Sequence, residues 1–469
     1  MDKHDVIAID LGASSGRVIR ARMQGGRISQ EELHRFMNTP VTQDGQLRWD
    51  YLRLLDEIKR GIQIAAEDGF ESMGIDTWGV DFALIEPDGT IVPPVCYRDG
   101  RTKGTREEVF AKISERELFK RTGLQAAELN TLFQLAAAKP RAEQTMLLMP
   151  EFFGWLLTGN ITAERSMAST TQLLSPVTRD WDFELIDLLG FPKACFPKIT
   201  TSGTILGEYA SRPVISALGH DTASAALAVP SEEASFLYIS CGTWSIVGTE
   251  RESAVCSDEA FAFGLANEIG YGGKAELLRN ITGLWLMQET KRCMQERDGR
   301  KYAYDELERL AASQPACRYL IDPDDAIFSA PGDMPARIQA CTGQGMTDAQ
   351  ILRCIYDSLA MKYRWAVEGI EAVTNERYEK IYMVGGGTQS RLLCQMTANA
   401  LGRPVLAGPV EATAIGNAAV QMITLGHIAD AAAARQIIRE SFPVAEYLPE
   451  ALRGGEAAYV RFKAIQRRE

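Results

Sequence analysis

One pattern, which occurs twice, constrains this chain more than any other. Near the N-terminus an apolar run of β character, Ile7-Ala8-Ile9, ends in Asp10 and enters the small-residue turn Leu11-Gly12-Ala13-Ser14-Ser15-Gly16-Arg17. A second β run follows from Val18 to Met23. Half a chain later, Phe236-Leu237-Tyr238-Ile239-Ser240 leads through Cys241-Gly242-Thr243-Trp244-Ser245 into Ile246-Val247-Gly248. Both read as hairpins with tips of small and hydroxylic residues. Such a tip lets backbone N–H groups and hydroxyls approach a phosphate, because no bulky side chain stands in the way. Asp10, at the base of the first, suits a hydrated Mg²⁺ beside those phosphates. Ala13, Ser14, Ser15 and Gly16 are the expected phosphate donors, and Arg17 can pair with the phosphates. Thr243 is the expected contact from the second hairpin, helped by Gly242 and Ser245. Trp244 is read as a core residue.

The remainder of the chain fits an α/β architecture. Trp49–Asp68 reads as an amphipathic helix with Leu52, Leu55, Ile58, Ile62 and Ala65 along one stripe. Ser72–Asp76, Phe82–Ile85, Val214–Ala217 and Lys380–Val384 read as strands. Helices are expected near Gly283–Gln295, Ala349–Val373 and Arg391–Leu401, and the residues after Gly426 read as helical and peripheral. A chain of 469 residues exceeds one core. The polar stretch Pro230-Ser231-Glu232-Glu233 marks the crossing, which gives lobes over residues 1–231 and 232–469. Two hairpins holding one polyphosphate are the arrangement of actin-like ATPases. The expected fold class is therefore α/β, with two actin-like (ribonuclease H-like) lobes around a central cleft.

Several classes are excluded. No G-x-x-x-x-G-K-[ST] occurs, which argues against a P-loop NTPase, and no well-placed G-x-G-x-x-G supports a dinucleotide fold. A formal net charge of −12 disfavours nucleic acid as a partner. No apolar run reaches membrane-spanning length, and no export signal precedes the first strand. Nine scattered cysteines without a C-x-x-C pair read as reduced thiols of a cytoplasmic protein. With four histidines and no C-x-x-C, a zinc site is not expected. The oligomeric state, monomer or homodimer, stays open.

The remaining polar residues of note lie at strand ends. Asp221 follows a strand at the start of a helix, where a carboxylate serves either as a helix N-cap or as a general base. Trp78, Gly79 and Asp81 form a natural pocket floor for a hydroxyl-rich ligand: a carboxylate suits paired hydroxyls and Trp offers an apolar face. Arg98, Asp99 and Arg101 either order that pocket or form an internal ion-pair network. Gly385, Gly386 and Gly387 either admit a nucleotide against bare backbone or make a tight strand-to-helix turn.

At this point the sequence resembles the FGGY carbohydrate kinases, and within them the rhamnulokinase branch. The pieces that carry the resemblance are AIDLGASSGRV (8–18), GIDTWGVDF (74–82), YRDGRT (97–102), NTLFQL (130–135), HDTASA (220–225), CGTWS (241–245), NITGLW (280–285), VGGG (384–387) and AGPVEATAIGN (407–417). They span the chain in family order. The resemblance implies ATP-dependent, Mg²⁺-assisted phosphorylation of L-rhamnulose at O1, with L-fuculose or L-xylulose as other possible ketoses. It implies Asp221 as the catalytic base and His220, Asp221 and Thr222 as sugar contacts. Gly79 approaches the sugar through its backbone, Asn280 supplies a polar contact, and Gln288 joins Gly385 and Gly386 at the ATP. A non-catalytic actin-like ATP switch is the alternative from another class; it has no use for a base beside a sugar-sized pocket.

Overall fold

The computed structural model describes residues 3–466. The chain divides into two compact units. The first holds the chain up to Glu232 together with Glu250–Leu277 and Ala412–Phe442; the second holds Glu233–Thr249, Leu278–Glu411 and the chain from Pro443 onward.

In the first unit, β1 (Lys3–Leu11), β2 (Ser15–Gln24) and β3 (Arg27–Met37) run as an antiparallel meander. After helix α1 (Tyr51–Ala66), β4 (Ser72–Thr77) pairs parallel to β1. Much later, β5 (Ile205–Tyr209) and β6 (Arg212–His220) complete the sheet, β6 parallel to β4, and helix α2 (Asp221–Leu227) follows directly. The order across the sheet is β5-β6-β4-β1-β2-β3. β1 is central, and Val6 through Leu11 are buried without alternation, as a strand covered on both faces requires. The three parallel strands β1, β4 and β6 all finish at one edge, where open α/β sheets place their ligands.

α1 starts at an N-cap, Asp50, whose side chain accepts from the Arg53 N–H. Its buried stripe is Leu54, Leu55, Ile58, Gly61, Ile62 and Ala65. Leu52, expected on that stripe, is 59% exposed. The helix is turned so that Gly61 faces β2, where a Cβ would lie 2.3 Å from Val18. That approach moves Leu54 inward and Leu52 outward.

A second sheet, most of it in the second unit, repeats the theme. β7 (Leu237–Cys241) and β8 (Trp244–Arg251) form an antiparallel hairpin. β9 (Ala266–Ile269), β10 (Ala275–Thr282), β11 (Ile381–Val384), β12 (Val405–Ala407) and β13 (Ala445–Tyr447) extend the sheet in the order β9-β10-β8-β7-β11-β12-β13. β11 is parallel to both β7 and β12. Between these strands run helices α3 (Trp285–Asp298), α4 (Asp348–Thr374) and α5 (Arg391–Leu401). α4 begins with a capping box, Thr347 with Gln350. Among the described residues no helix is long and apolar enough to cross a membrane.

The chain then returns to the first unit through α6 (Ala412–Thr424). Residues beyond Gly426, expected at the periphery, instead close a core: Ile428 and Ala434 pack with Val6, Ala21 and Ile28. Apolar residues at helical spacing in Ala431–Ser441 cover the sheet, and Ile28 N–H donates to Ser441 Oγ at 2.8 Å. α6 crosses α2 at Gly416, where an added Cβ would lie 1.8 Å from the Ser224 carbonyl oxygen. A backbone oxygen cannot swing away as a side chain can. Gly416→Ala is therefore expected to cost about 3 kcal/mol, measured as a lower urea midpoint at unchanged slope.

Candidate active site

The parallel strand ends of the first unit collect most of the polar residues picked from the sequence. Asp10, near the end of β1, is 2% exposed and faces Arg17 across the hairpin, with Oδ2 at 3.2 Å from the guanidinium. The tip between them is Gly12-Ala13-Ser14. Gly12 N–H donates to the Ser15 carbonyl, and Asn38 donates to the carbonyls of Gly12 and Ser14, all at 2.9 Å. The turn's carbonyls are thus turned to internal donors, while the Ser14 side chain is exposed and Ala13 and Ser15 are half-buried. Gly16 is required by packing, since a Cβ there would lie 2.4 Å from the Phe36 ring.

Asp76 on β4 stands in register with Asp10. Burial, followed by the charge of Asp10, pushes its carboxyl well above the usual range, although Asn417 Nδ2 of α6 donates to Oδ2 at 2.6 Å. Asp221 adds a further negative charge in reach. Three carboxyls therefore gather where the parallel strands end, a site that favours an added cation.

His220 and Asp221 sit at the corner from β6 into α2. The corner is clamped from behind: Gly219 N–H donates to Glu164 Oε2 at 3.1 Å and His220 N–H to Ser166 Oγ at 3.3 Å. The Asp221 side chain keeps 32% of its surface open, enough for a substrate to reach it. Its carboxyl is raised, chiefly by burial of the corner, and the neighbouring His220 charge restrains that rise. Thr222 Oγ1 donates to Asp221 Oδ1 at 3.3 Å.

His220 brings in a residue that sequence reasoning missed. Its Nδ1 lies 2.9 Å from Glu268 Oε2 on β9, and its Nε2 lies 3.4 Å from Asp221 Oδ1. Burial alone would lower the imidazole. The Glu268 carboxylate outweighs it, with smaller help from Asp221 and Glu276, and the result is pushed up to about 9. Glu268, His220 and Asp221 thus form a row of alternating charge. Nothing in Ala266-Asn267-Glu268-Ile269 distinguishes it from an ordinary short strand.

Gly79 lies beside this row; a Cβ there would stand 3.3 Å from His220 Nε2 and from Thr170. Val80 has φ +68°, a costly conformation for a β-branched residue. It is held by Thr170 Oγ1, which accepts from its N–H at 3.1 Å, and by Thr131 Oγ1, which donates to its carbonyl at 2.6 Å. Such strain, fixed from several sides, marks a turn shaped for function.

Asp81, expected on the floor of the sugar pocket, is fully buried with its carboxylate turned inward. Oδ2 accepts from Trp49 Nε1, Trp78 Nε1 and Tyr97 N–H at 2.6, 3.0 and 3.2 Å, and Oδ1 accepts from Gln134 Nε2 at 2.8 Å. Burial raises this carboxyl to about 6 against the pull of those donors. Trp78 is 4% exposed and packs on Trp49, ring centroids 4.3 Å apart. Both residues therefore brace the TWGVD turn from behind. The YRDGRT loop joins the same brace: Asp99 Oδ2 accepts from Leu47 N–H at 2.7 Å, and Arg101 donates to Gln134 Oε1 at 2.6 Å.

In the second unit the structure brings Thr243 and Gln288 together, Oγ1 and the side-chain amide 3.2 Å apart. Thr243 forms the hairpin turn with Gly242; the Gly283 and Trp285 N–H groups donate to its carbonyl at 3.2 and 3.1 Å. Trp244, expected in the core, is 55% exposed. Cys241 and Ser245, a register pair, take the inward positions with Tyr363, so the pleat turns Trp244 outward. Of the three glycines after β11, Gly385 has φ +88° and Gly387 lies where a Cβ would meet Cys241 Sγ at 2.1 Å. Gly386 has open space around its missing Cβ. Packing explains the outer two; the middle one alone offers an uncovered backbone face. Asn280, on β10, is exposed.

The model of the FGGY carbohydrate kinase N-terminal domain matches residues 6–227 and that of the C-terminal domain matches 237–425. A curated rhamnulokinase of Bacteroides thetaiotaomicron is 38% identical, the match covering 98% of this chain and 99% of that protein. One of Enterococcus faecalis is 39% identical over 95% of this chain and 94% of its own length. Solved structures share the fold at low identity: xylulose kinase from Rhodospirillum rubrum has TM-score 0.78 at 19% identity, covering 98% of each chain. Plasmodium falciparum glycerol kinase with ADP has TM-score 0.79 at 16%, covering 99% of this chain and 98% of that one. The expected actin-like α/β class holds, and the chain belongs to the FGGY family of carbohydrate kinases.

Proposed function

We propose that this protein transfers the γ-phosphoryl group of ATP to O1 of L-rhamnulose, giving ADP and L-rhamnulose 1-phosphate. The observation that carries the reading is identity of 38% and 39% to curated rhamnulokinases over nearly the whole chain. Asp221 is the general base. Its carboxylate accepts the O1 proton as the O1–phosphorus bond forms and the bond to the β-phosphate oxygen breaks. His220 holds that carboxylate charged and, with Thr222 and the Gly79 backbone, lines the sugar; Asn280 adds a polar contact. Asp81 acts through the turn it braces rather than by touching the sugar.

The tip Ala13–Arg17 receives the phosphates, and Thr243, Gln288, Gly385 and Gly386 contact ATP. Asp10, with Asp76 beside it, offers the hard oxygen donors that Mg²⁺ prefers, and three clustered carboxyls are relieved by a dication. When bound, the ion neutralises charge on the phosphate oxygens. A cytoplasmic setting, with its ATP supply, agrees with nine cysteines that are all free.

A coupled ADP-release assay with L-rhamnulose, L-fuculose, L-xylulose and glycerol tests the reading. L-Rhamnulose is expected to give the highest kcat/KM. Preference for another ketose would move the assignment to that sugar, and no turnover on any would remove it. Asp10→Asn is expected to raise the Mg²⁺ concentration needed for half-maximal rate by about 10-fold or more.

A further inference from the structure

Two of the four histidines meet at the other end of the first unit's central strand. His4 opens β1 while Asp10 lies near its close, so some 20 Å of strand, six steps at about 3.3 Å each, separates them. Glu71 immediately precedes β4, and His427 follows α6. The fold brings the three together: His4 Nδ1 lies 2.8 Å from Glu71 Oε1, and His427 Nε2 lies 2.7 Å from Glu71 Oε2. The imidazole rings stack, centroids 3.7 Å apart and planes at 26°. One ligand atom from each residue lies within 4.8 Å of the others.

We infer that His4, Glu71 and His427 form a binding site for a borderline transition-metal dication, Zn²⁺ foremost, distinct from the catalytic centre. Two imidazole nitrogens and one carboxylate oxygen are a donor set Zn²⁺ takes when a fourth position is left to water. The nitrogen donors select against Mg²⁺ and Ca²⁺, which take oxygen. A tetrahedral ion with ligand bonds near 2.1 Å spaces its ligand atoms by about 3.4 Å. The two hydrogen-bonded pairs, at 2.8 and 2.7 Å, therefore need to open by roughly 0.6–0.7 Å, and one carboxylate oxygen must turn to serve in place of the two that now face an imidazole each, within reach of side-chain rotation.

The backbone is already fixed. Glu71 N–H donates to the Asp5 carbonyl at 2.7 Å, His427 N–H donates to the Met422 carbonyl at 2.9 Å, and His4 pairs with Met23 in the sheet. Among the described residues no Lys or Arg pairs with Glu71; its two carboxylate oxygens face only the imidazoles that would share the ion with it. All three side chains are partly open, at 29%, 38% and 18%, which gives an ion entry and room for water. An ion here would tie the start of β1 and the approach to β4 to the end of α6, the helix whose Asn417 holds Asp76. Its role is a structural clamp on that helix. Residues so far apart in the chain explain why no spacing motif announces the site.

The test is calorimetric titration of the full-length, EDTA-stripped protein with ZnCl₂ in Mg²⁺ buffer, with thermal denaturation in parallel. Expected are about one Zn²⁺ per chain and a Tm that rises with free Zn²⁺. Glu71→Gln and His427→Ala should each weaken binding by about 10-fold or more and leave kinase activity within about twofold. His427→Asn replaces the alanine variant if that one fails to fold. No saturable binding up to about 100 µM would overturn the inference and leave the cluster as a carboxylate hydrogen-bonded to two imidazoles. Binding unchanged in every variant would overturn it too, placing the ion elsewhere, and a thiolate-to-metal charge-transfer band with Co²⁺ would assign it to cysteines.

Discussion

Asp221→Asn lowers phosphoryl transfer by about 10³-fold and leaves ATP affinity, read by equilibrium titration, within about twofold of the wild type. The amide keeps the shape and the Thr222 contact but cannot take the O1 proton. The position suits a base: the side chain is 32% open to a substrate, at a corner pinned by Glu164 and Ser166 through the Gly219 and His220 N–H groups. Burial raises the carboxyl and the His220 charge restrains the rise, so it is more basic than an exposed aspartate. A retained rate in the variant would reject the base. An equal loss of ATP binding would mean that the substitution had disturbed the phosphate site instead.

The second large effect concerns Glu268, a positioning residue that reaches the reaction through His220. Glu268→Gln removes the charge that outweighs burial at His220, so the imidazole falls from about 9 to its ordinary range or below. Without the imidazolium, Asp221 keeps the upward push of burial and loses its main counterweight. Its carboxylate is then protonated at higher pH, and the acid limb of kcat/KM moves up by about one unit. On the acid side of that limb the rate falls about 10-fold and recovers as the pH is raised, whereas a merely structural defect would lower the profile without shifting it.

Stability carries the same signature. His220 is raised above its unfolded value, so its contribution is full below about pH 6.5 and is lost as pH rises through about 9. That loss, on the order of 3 kcal/mol for a shift of this size, should appear in alkaline denaturation of the wild type. It should be largely absent from Glu268→Gln. Identical pH dependence in the two proteins would contradict the pairing.

What could be read from the sequence was local. The hairpin around Asp10 to Arg17, the hairpin around Thr243, the helix at Arg391–Leu401 and the strand-to-helix corner at Asp221 are all encoded within a dozen residues, by periodicity and turn chemistry. What could not be read depends on pairs far apart in the chain. Asp81 looked like a ligand residue because its four donors come from Trp49, Trp78, Tyr97 and Gln134, none visible as partners in a linear pattern. Asp76 and Asn417 meet across most of the chain, as do Glu268 and His220 across two strands. Trp244 was misplaced for a smaller reason: which way the pleat turns at a hairpin tip depends on whether Cys241 and Ser245 or Trp244 face Tyr363, and composition does not say. Leu52 lost its place in the α1 stripe because Gly61 sets the helix rotation against Val18.

Transfer of phosphate to one hydroxyl of one ketose is reported most directly by the product. L-Rhamnulose is incubated with ATP, Mg²⁺ and the protein, and the phosphosugar is examined by phosphorus–proton correlation NMR. The expected result is a phosphorus signal correlated with the two protons of the C1 methylene, formed in step with ADP and missing in Asp221→Asn. Correlation to a ring methine proton, or ADP release with free phosphate and no phosphosugar, would contradict it.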